Sequence, residues 1–347
     1  MNPVLEALVE GVIKSAIALG FLLNAFAMMT LAERKIVGRM QQRYGPNRVG
    51  PFGLMQPLAD GVKLLFKEQI IPDRADVPVY ILAPAVSVIV ALVAFAVIPV
   101  APAFTWGRYH IGWWISNPNI GVLMLFAITS LGVYGIVLGS WSSANKYSLL
   151  GGLRSTAQII SYELAFGLSI VGAILLAGSL NLPDVVKAQS HLPWFVIIQP
   201  LGAVIFGIGG IAETNRAPFD LPEAEQELIA GYHTEYSGFR FALYFMAEYI
   251  NMVTISALAA TLFLGGWLPV SFGWFPGWLH WLNWFLGAIP GVLWFLAKVM
   301  MLLFGYIWLR ATVPRIRYDR LMWFGWKVLL PLAVLNVLIT ALYVSLS

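Results

Sequence analysis

The sequence predicts an all-α, polytopic membrane protein, and three observations carry that expectation. Hydrophobic residues make up 59% of the 347 residues and charged residues only 11%, against about 25% charge in a soluble globular chain. With a mean hydropathy of +0.79, the chain has too little charge to coat a soluble surface of its size, so lipid must solvate much of it. About eight segments reach the roughly 20 apolar residues that a membrane-spanning helix needs. Lysine and arginine, finally, concentrate in alternate loops.

The first span is expected near residues 5–31. Glu6 and Glu10 stand where a signal peptide would carry its basic start, and no small-residue cleavage site follows, so the stretch reads as a retained span. Further spans are expected near 79–99, 119–140, 155–178, 194–213, 239–264, 284–309 and 325–345. Pro78, Pro99, Pro118 and Pro193 fall at proposed span ends, where a missing N–H costs least. No internal repeat, low-complexity tract or separate soluble domain interrupts the pattern. Residues 1–347 therefore read as one integral membrane domain, with a cytoplasmic loop at 32–77 and an acidic loop at 213–238.

Charge placement sets the expected orientation. The first loop holds Arg34, Lys35, Arg39, Arg43, Arg48, Lys63, Lys67 and Arg74. The third and fifth loops add Lys146 with Arg154 and Arg216 with Arg240, and the seventh adds Arg310, Arg315, Arg317 and Arg320. The even-numbered loops offer only Arg108 and Lys187. Odd loops are thus expected in the cytoplasm and both termini on the opposite side.

The first loop has internal order. Over 52–70, Leu54, Leu58, Val62 and Leu65 recur near helical spacing, with Asp60, Lys63, Lys67 and Glu68 elsewhere around the wheel. That pattern predicts an amphipathic helix at the cytoplasmic interface; a peripheral helix that only ties spans together has the same pattern. Gly45-Pro46 and Gly50-Pro51 give it a rigid lead-in.

The acidic residues carry most of the functional information. Of 17 Asp and Glu, seven fall in one stretch: Glu213, Asp220, Glu223, Glu225, Glu227, Glu235 and Glu248. Glu163 lies inside the fourth proposed span and Glu248 inside the sixth. A carboxylate at membrane depth costs several kcal/mol, so such residues face a bundle interior and mark ion or proton paths. Burial and like-charge neighbours make carboxyls hold protons closer to neutrality, which suits a relay. Asp220-Leu-Pro-Glu223 also has the form of a capping box, and Glu223 and Glu225 would favour the positive end of a short helix. Glu227 and Glu235 could equally be solvated. Glu163 and Glu248 have no comparable structural account, because the spans offer few cations beyond Lys14 and Lys298.

Several function classes are excluded or disfavoured. The chain has no cysteine, so it holds no disulfide, no cysteine-ligated iron–sulfur cluster and no thiol nucleophile. His110, His191, His233 and His280 all fall in proposed loops, which disfavours a haem anchor. Neither GxGxxG nor GxxxxGK[ST] occurs, and no span carries a regular arginine series. The basic first loop beside a membrane orients the protein or meets acidic partners, so nucleic acid is not an expected partner. No metal site is expected.

At this point a proton-coupled redox subunit and an ion or solute transporter both remain open. The motifs favour the first. Glu33-Arg-Lys-Ile, Gly45-Pro-Asn-Arg-Val-Gly-Pro51 and Leu58-Ala-Asp-Gly-Val-Lys-Leu-Leu-Phe-Lys-Glu68 resemble the first cytoplasmic loop of one membrane-subunit family. Ser143-Ala-Asn-Lys-Tyr147, Ala157-Gln-Ile-Ile-Ser-Tyr-Glu163, Ala212-Glu-Thr-Asn-Arg-Ala-Pro-Phe-Asp-Leu-Pro-Glu-Ala-Glu-Gln-Glu-Leu228, Thr234-Glu-Tyr-Ser237, Phe245-Met-Ala-Glu-Tyr249 and Pro314-Arg-Ile-Arg-Tyr-Asp-Arg-Leu321 continue the likeness along nearly the whole chain. The family is the quinone-pocket membrane subunit of respiratory complex I, the proton-translocating NADH:quinone oxidoreductase.

That resemblance implies the following. Glu33, Arg34, Arg43, Asp60, Lys63 and Arg216 would belong to the quinone chamber or its rim. Glu163, Glu213, Glu223, Glu225, Glu227, Glu235 and Glu248 would form the acidic relay that couples quinone reduction to proton translocation. Quinone would be a substrate, no cofactor would be covalently bound, and flavin and iron–sulfur clusters would sit in partner subunits only. Partners would be the peripheral-arm subunits around the quinone site, including the one with the terminal iron–sulfur cluster. Small membrane subunits leading to antiporter-like subunits would complete them. The chain would reside in an energy-transducing membrane, the bacterial plasma membrane. Gly132 departs from members that carry an acidic residue there; water or a shorter acid series would be the consequence. A homologous membrane subunit of an energy-converting hydrogenase, a stand-alone cation transporter and a purely structural anchor are the alternatives.

Overall fold

The computed structural model describes residues 3–106, 109–191, 193–220, 231–270 and 286–346. Seven helices among the described residues are long and apolar enough to cross a membrane, which makes the chain an all-α polytopic membrane protein. The first, α1 (Pro3–Met40), runs past the expected span end and carries Glu33, Arg34, Lys35 and Arg39 on its last turns. A 3-10 turn (Pro51–Gly53) then leads into α2 (Gln56–Phe66), the expected amphipathic helix. Lys35 ties this lead-in to α1 by donating to the Phe52 carbonyl. Gly53 has a φ of 74°, and a Cβ there would stand 2.2 Å from the Pro46 carbonyl oxygen, so only glycine fits.

The next spans are α3 (Val77–Phe95) and the pair α4 (Gly121–Ser130) and α5 (Gly132–Ser142), which together make one interrupted crossing. An antiparallel pair, β1 (Phe104–Trp106) with β2 (Tyr109–Ile111), lies in the connection and was not expected from the sequence. Helix α6 (Lys146–Ala177) begins well before residue 155 because Asn145 caps it, its Oδ1 accepting the Tyr147 N–H at 2.9 Å. Gly178, left-handed at φ 66°, stops it.

The fifth expected span is broken. After α7 (Leu182–His191), the single turn α8 (Phe195–Ile198) and α9 (Pro200–Glu213) are separated at Gln199, with φ −125° and ψ 61°. Proline disfavours helical geometry in the residue before it, and Pro200 does so here. Alone, α9 is about 21 Å long at 1.5 Å per residue, short of a roughly 30 Å hydrocarbon core.

The last spans are α10 (Gly238–Phe263), α11 (Gly291–Thr312) and a final crossing. That crossing comprises α12 (Tyr318–Phe324), a π-helical turn at Gly325–Leu329 and α13 (Leu330–Leu346). Helix α10 is the most buried spanning helix and α1 the least. Helix α3 packs on α5 and α10; α6 packs on α5, α9 and α13; α1 and α11 close over α10. The main core joins Phe95, Phe166, Phe206, Phe263 and Phe295 across these helices. Apolar side chains left exposed, such as Val12 and Ile17 of α1 and Leu338 and Leu342 of α13, suit a lipid surface.

Candidate functional site

The site grows from the loop after α9, which the neighbouring helix holds. Gln158 of α6 donates to the carbonyls of Ala212 at 3.0 Å and Phe219 at 2.8 Å. Asn215 turns the chain with φ 52°, and the Arg216 N–H donates to the Ile211 carbonyl at 3.3 Å. These bonds aim Arg216 inward, where only 3% of it is exposed.

Four charges meet there. Arg216 Nε contacts Glu248 Oε1 of α10 at 2.6 Å, and its Nη1 lies 3.6 Å from Glu33 Oε1 of α1. Arg310, at the end of α11, donates to the same Glu33 oxygen. Tyr249 donates to Glu33 Oε2 at 2.6 Å, and its ring lies 4.2 Å under the Arg216 guanidinium. Two guanidiniums balance two carboxylates, which is how charges persist in a buried place.

Glu33, Tyr249 and Arg310 line a cavity of about 1000 Å³ between α1, α2 and α10. Phe26, Leu64, Phe239 and Phe245 give it apolar walls, while Arg34, Arg43 and Asp60 supply polar ones. Asp60 is bound by Arg34 at 2.6 Å, Gln56 at 3.2 Å and Lys63 at 3.3 Å. Burial pushes the Asp60 carboxyl up, but the hydrogen bond and charge of Arg34, backed by Lys63 and Gln56, outweigh it and hold the group below its ordinary value. Arg43 donates to Gln41 at 2.9 Å. Lys63 reaches the cavity wall through its contact with Asp60.

A second cavity of about 60 Å³ lies deeper, lined by Glu213, Glu248, Asn215, Thr129 and Gly132 among others. Glu213 Oε2 is enclosed there without a hydrogen-bond partner among the described residues, and Glu163 is close enough for its charge to act on Glu213. Among the described residues, a Cβ on Gly132 would meet Val90 alone, at 3.6 Å, so this wall of the cavity is open. Glu235 sits in the turn before α10, its Oε1 accepting from Asn145 Nδ2 at 2.6 Å. Asp220 accepts from Arg315 at 2.9 Å. Glu223, Glu225 and Glu227, and with them the capping-box expectation, lie outside the described residues.

The model of the NADH dehydrogenase family matches residues 13–341. The chain belongs to this family. A protein of Syntrophotalea carbinolica is 50% identical over 341 residues, covering 98% of each chain. One of Deinococcus deserti is 51% identical over 96% of this chain and 83% of its own. A third, of Rhodospirillum rubrum, is 52% identical over 92% and 89%. All three bear the name of the same NADH-quinone oxidoreductase subunit. Membership in the NADH dehydrogenase family is what the loop motifs led us to expect.

Within this NADH dehydrogenase family chain, sequence reasoning missed Tyr249, Arg310 and Asn145. Arg310 reads in the sequence as an orientation charge, and the partner of Glu248 was sought among span cations. Those cations are engaged elsewhere. Lys14 pairs with Glu10 at 2.5 Å, and Lys298 donates to the carbonyls of Leu264, Gly266 and Leu268 at 2.6, 2.9 and 2.7 Å. The partner of Glu248 is a loop arginine folded into the bundle.

Proposed function

We propose that this chain is the membrane subunit of a proton-translocating NADH:quinone oxidoreductase. It forms part of the quinone chamber and passes the charge change of quinone reduction into an acidic relay. One observation carries the reading: Arg216 holds Glu33, on the wall of the large cavity, and Glu248, on the wall of the small one, at the same time. The names of the relatives supply the enzyme class.

The large cavity has the size and the apolar, sparsely polar lining of a small-molecule site. A quinone head would sit near Glu33, Tyr249 and Arg310, with its apolar tail along α1, α2 and α10. Two electrons, from a cluster in a neighbouring subunit, and two protons convert quinone to quinol. Negative charge arriving before those protons pulls on Arg216, loosens its hold on Glu248 and changes which carboxylates carry protons. Glu213 and Glu163 continue the series from the small cavity, and Glu235 branches from it. Glu223, Glu225 and Glu227 extend it through the acidic loop. The small cavity is roomy enough for water, which needs about 10–15 Å³ per molecule, so water can bridge where Gly132 contributes no carboxylate.

The peripheral-arm subunits around the quinone site would bind the side bearing the odd loops, which faces the cytoplasm of a bacterial plasma membrane. Small membrane subunits leading to the antiporter-like ones would take the charge onward. Glu213→Gln tests the relay: assembled complex at its normal level with turnover down at least tenfold is the expected result. Normal turnover would count against a relay through this residue.

A further inference from the structure

The Asn145 side chain does two jobs. Its Oδ1 caps α6 and its Nδ2 grips Glu235. Chemistry fixes which end of the amide does which, because an N–H needs an acceptor and a carboxylate only accepts. At 2.6 Å, the grip is the short contact of a charge-assisted bond.

The turn that carries Glu235 does not need this bond to stay in place. Tyr80 of α3 donates to the Glu235 carbonyl at 2.7 Å, and Ser148 of α6 donates to the Tyr232 carbonyl at 2.8 Å. The Tyr236 ring stacks on Tyr80 at 4.2 Å. Gly151 lies so close to Gly231 and Tyr232 that a Cβ on it would stand 2.8 Å from their backbone. The backbone is clamped, so the Nδ2 group of Asn145 acts on the Glu235 carboxylate rather than on the turn. Nor does α6 require asparagine, since serine and aspartate cap helices about as well. Among good caps, only asparagine can accept with one atom of its amide and donate with the other.

We infer that Asn145 is a positioning residue for Glu235, locking that carboxylate to the N-terminus of α6, the helix that bears Glu163. This rests on the reading above that Glu235 belongs to the relay. Tyr80 lies within electrostatic reach of the same carboxylate, and Arg240 of α10 lies over the Tyr80 ring at 5.5 Å. Asn145 supplies the donor from α6.

Asn145→Ser, Asn145→Asp and Glu235→Gln, each in the assembled complex in native membranes, separate the possibilities. Serine keeps the cap and removes the Nδ2 amide that reaches Glu235, its own hydroxyl ending one bond shorter. Aspartate keeps the cap and sets a second carboxylate against Glu235, and two like charges that close retain a proton to higher pH. The expected result is normal assembly in both. Turnover should fall about fivefold in Asn145→Ser, and the acid limb of the pH–rate profile should move up by about one unit in Asn145→Asp. Normal turnover and superimposable profiles in both variants would overturn the positioning role, leaving a cap. Failed assembly in both would also overturn it, making Asn145 a folding residue. Normal turnover in Glu235→Gln would overturn the relay reading beneath it, so the two failures are distinguishable.

Discussion

Glu33 is only 7% exposed and is held by Arg216, Arg310 and Tyr249, which come from a loop and from two helices far along the chain. Breaking a buried charge set is costly because the abandoned partner keeps its desolvation, roughly 3–5 kcal/mol for one lost member. Tyr249→Phe is the milder probe, since the ring beneath Arg216 stays and only the hydroxyl goes. Losing one hydrogen bond to a charged group is worth about 1.5 kcal/mol or more. Turnover at limiting quinone should therefore fall about tenfold, with the complex assembled at its normal level. Unchanged quinone kinetics would remove Tyr249 from the site. The sequence marks Glu248 by depth, because a charge in an apolar run is visible locally, and Glu33 and Arg216 by motif alone. It does not show that they meet, since Arg216 lies 183 residues after Glu33 and 32 before Glu248, and both pairings depend on how the helices pack. The Glu235 grip is hidden for the same reason: a half-buried glutamate beside a cap looks solvated until both elements are placed.

At the scale of an element, α2 shows what its pattern could and could not say. The period of Leu58, Val62 and Leu65 identified an amphipathic helix, and the helix is there over Gln56–Phe66. What fastens its inner face is Asp60, bound to Arg34 of α1, a contact that periodicity cannot contain. Because the Asp60 carboxyl titrates below its ordinary value of about 4, the stabilisation is complete above that value and is lost as pH falls through the lower, folded one. Amide exchange in α2 should accordingly be flat from pH 8 to about 5 once intrinsic rates are removed, and protection should drop only below about 4. Asp60→Asn should show the reduced protection at every pH. Loss of protection already near neutrality would mean that some other group anchors the helix. The broken fifth span was half legible: Pro200 is plain in the sequence, but the 194–213 run is apolar enough to mask it. The strand pair Phe104–Trp106 and Tyr109–Ile111 alternates apolar and polar residues for only three positions each, too short a pattern to stand out in the sequence.

At the scale of the whole molecule, composition and charge placement sufficed for membrane class, because solvation by lipid constrains every span at once. Orientation can be tested with unusual cleanliness, since the chain has no cysteine of its own and each one introduced reports alone. Cysteines at Lys67 and Lys146 should react with a membrane-impermeant maleimide only in inside-out vesicles, and one at Lys187 only in right-side-out vesicles. The reverse pattern would invert the orientation. The placement of α10 has a further consequence. Tyr249 looks onto the chamber and Glu248 onto the small cavity, and successive helical residues point about 100° apart. If quinone is reduced in the large cavity as proposed, the redox site and the first proton carrier would occupy adjoining walls of one rod, a single peptide bond apart. A turn or slip of that rod would move both walls together, so on the proposed function electrons and protons would share an axle and need no gear train between them.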